Sequence, residues 1–228
     1  MPGGDAPVVL VHGLGSSGEH GWRPAGWLDL LADAGRTAVA PDLLGHGRAP
    51  APHDPDAYAS LERELLATLP PEPVDAVGFS LGAQVLLRIA ASEAGRIRRL
   101  VVIGVGANLF ATRDRAPVLA EAFTAAGEPE DPTARLFVQM ARRAGNDPLA
   151  IAAFLRHERA PFTPEELGRV DCPTLVVIGD RDFAGPADPL VAALPAAEVV
   201  VLPGVDHFRA TSEFACIDAA LGFLGVVP

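Results

Sequence analysis

The sequence predicts an α/β protein, a doubly wound and mostly parallel sheet of about six strands with one small helical insertion. Three observations carry this. Short runs rich in Val, Ile and Leu alternate with longer stretches whose apolar residues recur at helical spacing. Several short runs are apolar on consecutive residues, the pattern of strands buried on both faces. The alternation breaks once, over residues 108–170, where no strand pattern appears.

The strand runs are 7–11 (PVVLV), 37–41 (TAVAP), 74–78 (VDAVG), 99–104 (RLVVIG), 173–178 (PTLVVI) and 197–202 (AEVVVL). Helical periodicity covers 24–34, 56–69, 81–94 and roughly 210–225, the last with Phe214, Ile217, Leu221 and Leu224 as its apolar row. Within 108–170, stretches near 113–126, 132–144 and 148–158 read as helices separated by Gly and Pro. The expected organisation is a core domain of 1–107 and 171–228 with a helical cap of 108–170.

At 228 residues the chain has the length of one domain, long enough to bury its own core without staples. Its net charge of −11 disfavours phosphate backbones and anionic lipid, so neither nucleic acid nor membrane is an expected partner. All 18 basic residues are Arg, which with the abundant Ala, Gly and Pro reads as coding bias. No apolar run is long enough to span a bilayer, and the start MPGGDAPVVLVHG does not read as an export signal. Cys172 and Cys216 form neither a disulfide framework nor a metal-ligand pattern. These features point to the cytoplasm, to a monomer or homodimer, and to no metal or cofactor.

Four motifs carry chemistry. Gly78-Phe79-Ser80-Leu81-Gly82 fits G-x-S-x-G between a strand and a helix. That context puts a nucleophilic hydroxyl on a tight turn at the sheet's carboxyl edge, with small residues on either side to let strand and helix approach. Val8–Gly15 (VVLVHGLG) ends a strand in His-Gly. The backbone N–H of Leu14 and that of Leu81 are the candidate donors to a developing oxyanion. Strand 173–178 runs into Gly179-Asp180-Arg181-Asp182, two carboxylates at the carboxyl end of a strand. Asp182 is favoured over Asp180 as partner of the base, because the chain needs a few residues to turn toward the sheet edge. The competing reading has both carboxylates capping the turn. In Gly204-Val205-Asp206-His207-Phe208, His207 completes the chain order Ser, Asp, His. Among the other histidines, His12 reads as support for the oxyanion loop. His46, with Asp42, reads as fixing the loop after the second strand, and His20, His53 and His157 read as exposed.

Together VVLVHGLG, PDLLGHG, VGFSLGA, TLVVIGDRD and GVDHF resemble the α/β-hydrolase fold family over nearly the whole chain, and in particular its capped single-domain serine hydrolases and esterases. Two departures stand out. The family's first antiparallel hairpin is missing, which implies six parallel strands in the order 2-1-3-4-5-6. Phe208 follows the histidine and no Trp follows Trp27, which weakens a match to C–C bond hydrolases. A Ser nucleophile argues against epoxide hydrolases and haloalkane dehalogenases, which need a carboxylate there.

The resemblance implies two-step acyl transfer by Ser80, His207 and Asp182 on a small, mostly apolar ester, thioester or lactone. Candidate pocket residues are Gly13, Phe110, Phe137, Met140, Phe154 and Phe208. Arg142 and Arg143 could favour an anionic tail or form a solvated face. A lyase, cyclase or perhydrolase using the same residues is the alternative within catalysis. A ligand sensor retaining them is the alternative outside it.

Overall fold

The computed structural model describes residues 6–112 and 114–226. Residues 1–5 (the predicted start of the core domain), residues 227–228 (its predicted end) and residue 113 at the head of one predicted helix lie outside the described residues. The elements run β1 (Val8–Val11), α1 (Gly18–Trp22), α2 (Trp27–Asp33), β2 (Ala38–Val39), α3 (Leu61–Thr68), β3 (Val74–Phe79), α4 (Leu81–Ser92) and β4 (Ile97–Ile103). They continue α5 (Ala116–Thr124), α6 (Pro132–Arg143), α7 (Pro148–Arg156), α8 (Pro164–Leu167), β5 (Thr174–Gly179), α9 (Asp188–Ala193), β6 (Ala197–Leu202) and α10 (Phe214–Phe223). The six strands form one parallel sheet in the order β2-β1-β3-β4-β5-β6.

Alternation along the strands explains the two helical layers. Val8 and Leu10 pack on one face with Trp22, Trp27 and Leu31 of α1 and α2 and with Cys216, Ile217 and Ala220 of α10. Val9 and Val11 pack on the other with α3, α4 and α9. Both faces are covered, so β1, β3 and β5 must be apolar at nearly every position.

Boundaries differ from the sequence reading for local reasons. β2 is an edge strand of two residues, Ala38 and Val39, paired to β1 alone. α2 starts at Trp27, since Gly26 adopts a left-handed φ of 80° that ends the preceding turn. The stretch 56–69 divides into a 3₁₀ turn, Pro55–Ser60, and α3. In α10 the buried row is Cys216, Ile217, Ala220 and Leu224, while Phe214 is 80% exposed. Small Cys216 and Ala220 let the helix lie close to the sheet, and Phe214 projects beyond it.

Between β4 and β5 the described residues contain helices and no strand. Three of the helices there, α6, α7 and α8, start on a side-chain cap followed by Pro. Asp131 accepts from Ala134 N–H at α6, Asp147 from Leu149 N–H at α7, and Thr163 from Glu166 N–H at α8. The segment is tied to the core by buried polar contacts. Asn146 accepts from Gly47 N–H at 2.7 Å and donates to Ser16 C=O at 2.9 Å. The Tyr58 hydroxyl lies 2.8 Å from Pro52 C=O and 2.9 Å from Ala150 C=O.

At the opposite, amino edge of the sheet, Arg36 is buried in an ion pair with Asp75 at 2.6 Å. It also donates to the carbonyls of Ala6 at 2.7 Å and Leu224 at 3.4 Å.

Candidate active site

Ser80 joins β3 to α4 with φ 51° and ψ −108°, the one non-glycine residue with positive φ among the described residues. That conformation costs on the order of 1–3 kcal/mol and persists because its surroundings fix it. Its N–H donates to Ile103 C=O of β4 at 2.8 Å. The neighbouring backbone leaves no room for side chains. A Cβ at Gly82 would meet Val11 C=O at 2.1 Å, and one at Gly78 would meet Ala83 N at 2.6 Å. The spacing of G-x-S-x-G is therefore a packing requirement of β1, β3 and α4, and it leaves Ser80 half-exposed at the floor of a cavity.

His207 Nε2 lies 3.0 Å from Ser80 Oγ. Its Nδ1 lies 2.9 and 3.0 Å from the two carboxylate oxygens of Asp182. A carboxylate only accepts, so Nδ1 carries the proton and Nε2 presents its lone pair to the hydroxyl. The Asp182 side chain is fully buried and that of His207 nearly so. Ala184 N–H donates to Asp182 Oδ1 at 2.8 Å and fixes the carboxylate. Asp180 is exposed and serves the loop instead, accepting from Gly204 N–H at 2.7 Å. Asp206 accepts from the N–H groups of Phe208 and Arg209 and holds the turn that carries His207.

The imidazole lies between two aromatic rings, Phe79 with centroids 4.9 Å apart and Phe183 at 4.2 Å, both tilted by less than 40°. Phe183 is 57% exposed, lines the cavity and covers His207. Sequence reasoning missed it. Its signal was an aromatic residue directly after the carboxylate, on a loop where nothing else buries it.

Leu14 and Leu81 line the same cavity as Ser80. Leu81 is the first residue of α4, so its N–H has no acceptor within the helix. His12 shapes the strand that leads to Leu14. Leu43 N–H donates to His12 Nε2 at 3.1 Å, so Nδ1 bears the proton and donates to Gly13 C=O at 2.8 Å. Burial lowers the His12 pKa from its usual value, and burial lowers that of His46 to about 3. Both rings are neutral, and they sit 5.2 Å apart. Asp42 accepts from Gly18 and Arg48 N–H groups at 2.8 Å each, which fixes the loop that precedes His46. His20 and His53 are exposed, His53 against Asp147 at 2.7 Å, while His157 is half-buried.

The cavity encloses about 380 Å³, within the size range of small-molecule sites. Phe137 and Phe154 line it, as do Leu109 and Leu155. Gly13, Phe110, Met140 and Phe208 are not among its walls. Gly13 lies against the Phe79 ring, and Phe110 packs on the core at the end of β4. Phe208 stacks edge-on to Phe137 at 5.2 Å, and Met140 is half-buried elsewhere on α6. Arg142 and Arg143 are exposed and do not reach this cavity. Gln84 and Arg88 do line it. They follow Ser80 at i+4 and i+8 on one face of α4, a spacing visible in the sequence once Ser80 heads a helix.

Among the described residues no group of three or more His, Cys, Asp or Glu side chains could hold a metal ion, and no helix is long and apolar enough to cross a membrane. Both cysteines are free and buried.

A family profile described as the alpha/beta hydrolase family matches residues 8–215. The chain belongs to this family. Within it, lipase LipV of Mycobacterium tuberculosis is 31% identical over 238 residues, covering 98% of this chain and 88% of LipV. Non-heme chloroperoxidase CPO-A1 of Kitasatospora aureofaciens is 28% identical over 88% of this chain and 84% of its own length. The solved structure of 2-hydroxy-6-oxo-6-phenylhexa-2,4-dienoate hydrolase of Rhodococcus sp. strain RHA1 matches with a TM-score of 0.74 at 24% identity, over 97% of this chain and 91% of that one, a likeness of fold.

Proposed function

We propose that this alpha/beta hydrolase is a serine hydrolase acting by acyl transfer on a small, mostly apolar carboxylic ester, thioester or lactone. One observation carries the reading: His207 stands 3.0 Å from the Ser80 hydroxyl while Asp182 holds its other nitrogen. Ser80 attacks the acyl carbon and His207 Nε2 takes the hydroxyl proton. The buried Asp182 keeps the imidazole in the needed tautomer and stabilises the cation. The N–H groups of Leu14 and Leu81 receive the oxyanion, each lowering the barrier by about 3 kcal/mol. His207 then returns its proton to the leaving group. Water activated by the same nitrogen opens the acyl-enzyme. In this reading the helices between β4 and β5 cap the cavity. Phe183 shields His207 from water, and its ring face favours the imidazolium.

Similarity to a chloroperoxidase supports a second reading, in which hydrogen peroxide opens the acyl-enzyme to give a peracid. Incubation with a short-chain nitrophenyl ester and a fluorophosphonate probe tests the shared first step. The expected result is turnover and labelling at Ser80, both lost in Ser80→Ala. Labelling without turnover would remove the esterase reading, and adding peroxide to the assay separates the two fates of the acyl group.

A further inference from the structure

We propose that the acyl group taken by this cavity carries a neutral oxygen substituent, a ketone or hydroxyl, about one helical turn beyond the reacting carbonyl, bound by Gln84 with Asn108 as a second donor. The inference rests on the acyl-transfer reading and names the substrate class within it.

Gln84 lies one turn along α4 from Ser80, its N–H bonded to Ser80 C=O, which sets it about 6 Å further along the helix axis. Its side chain lines the cavity and makes no hydrogen bond among the described residues. The wall is mixed: Leu14, Leu81, Leu109, Phe137 and Phe154 are its apolar part, and Arg88, Asp114, Arg115 and Arg159 its charged part. Asn108 also lines the cavity, and its orientation is fixed. Oδ1 accepts from Gly106 N–H at 2.9 Å, so the amide NH₂ is left without an acceptor among the described residues.

Charge disfavours an anionic ligand. Arg88 pairs with Glu166 at 2.6 Å and Arg115 with Asp131 at 2.6 Å, and Arg159 bonds to Glu62. Each guanidinium of the wall has its carboxylate, so a carboxylate on the substrate would find no cation waiting. Asp114 accepts from the Thr112 hydroxyl at 2.5 Å, and the wall's two carboxamides offer neutral N–H donors without an acceptor among the described residues. A plain hydrocarbon chain would strip water from Gln84 and return nothing, and sites built around a hydrogen bond discriminate against analogues that lack it.

The test measures binding, so that it stands apart from turnover. Non-hydrolysable acyl amides of one chain length, plain or with a ketone at successive carbons, are titrated into the Ser80→Ala protein by calorimetry. At one ketone position binding should tighten on the order of tenfold over the plain chain. Gln84→Leu, or Gln84→Met if the first variant folds poorly, should bring that ratio to about one. Asn108→Asp, which keeps the acceptor for Gly106 N–H, should reduce it in part. Equal binding of all ketones and the plain chain would overturn the proposal. So would an advantage that survives Gln84→Leu, or tighter binding of a carboxylate-ended chain. Loss of ester turnover and Ser80 labelling in the unaltered protein would instead remove the hydrolase reading and leave the binding ratio standing.

Discussion

The carboxyl edge of the sheet and the helical segment between β4 and β5 both border the cavity, but they are built by different physics. At the sheet edge, Ser80, Asp182 and His207 follow the ends of β3, β5 and β6, strands held by a continuous parallel ladder. Their side chains are fixed by hydrogen bonds of 2.8–3.0 Å, and in the proposed reaction one residue per strand end carries the chemistry. The helical segment is held by apolar packing of Phe137, Phe154 and Leu155, with a few polar anchors to the core. There many residues share each task. One region is specified by position, the other by aggregate shape, and they should respond differently to substitution.

The largest expected difference is between two carboxylates on one loop. Asp182→Asn should lower kcat on the order of 10⁴-fold by releasing the wrong imidazole tautomer. Asp180→Asn, at an exposed loop contact, should cost less than about tenfold. Steady-state kinetics of both variants decides the point, and the reverse order would reassign the buried partner of His207. Next comes Gly82→Ala. With Val11 C=O only 2.1 Å from the added carbon, β1 and α4 must separate, and denaturant unfolding should register a loss of about 3 kcal/mol.

On the other side of the comparison, Asn146→Ala removes both contacts to the Gly47 and Ser16 backbone and should cost about 2 kcal/mol. KM should rise more than kcat falls, because the sheet edge is untouched. A kcat loss as large as that of Asp182→Asn would erase the distinction between the regions.

The buried His46 gives a pH signature. Its native pKa of about 3 lies below the usual value of 6.5, so only the unfolded chain takes up a proton in between. Its contribution to stability is whole above about pH 6.5 and is lost progressively as pH falls toward 3, at a slope near 1 kcal/mol per pH unit. Denaturant melts from about pH 7 to 4.5 should be flatter for His46→Gln than for the unaltered protein. The smallest effect on activity belongs to Phe137→Leu, which reshapes the cavity wall and removes the ring contact with Phe208. It should shift preference among ester chain lengths by roughly threefold and leave fluorophosphonate labelling intact.

The same contrast explains what the sequence disclosed. The strands and the three residues at the sheet edge were legible because consecutive apolar runs mark buried strands and each motif must sit at a strand end, while the strand order followed from the family resemblance. The choice of Asp182 over Asp180 followed from how far a chain must travel to turn a corner. The cavity walls were not legible. Helical periodicity told that Phe137, Phe154 and Met140 belong to a buried or half-buried face, but not which neighbour each face meets, and Phe110 lay outside any helix the sequence marked. Phe137 and Phe154 reached the cavity; Phe110 and Met140 did not. Phe208 follows His207 directly, yet its ring packs edge-on against Phe137 and His207, and the neighbouring ring that lines the cavity is that of Phe183. The short helices α1, α8 and α9 span too few residues to display a period at all.

Arg36 gathers the carbonyls of Ala6 and Leu224 onto one guanidinium, beside Asp75 at the start of β3. Ser80 lies at the far end of that strand, about 17 Å away at the usual rise per residue. Ala6 and Leu224 are therefore neighbours at the amino edge of the sheet, on the side away from Ser80. A short peptide joining the chain near Ala6 to that near Leu224, with the chain reopened in a surface turn such as that around Gly95, should yield a circularly permuted protein in which the Ser80–His207 hydrogen bond is undisturbed.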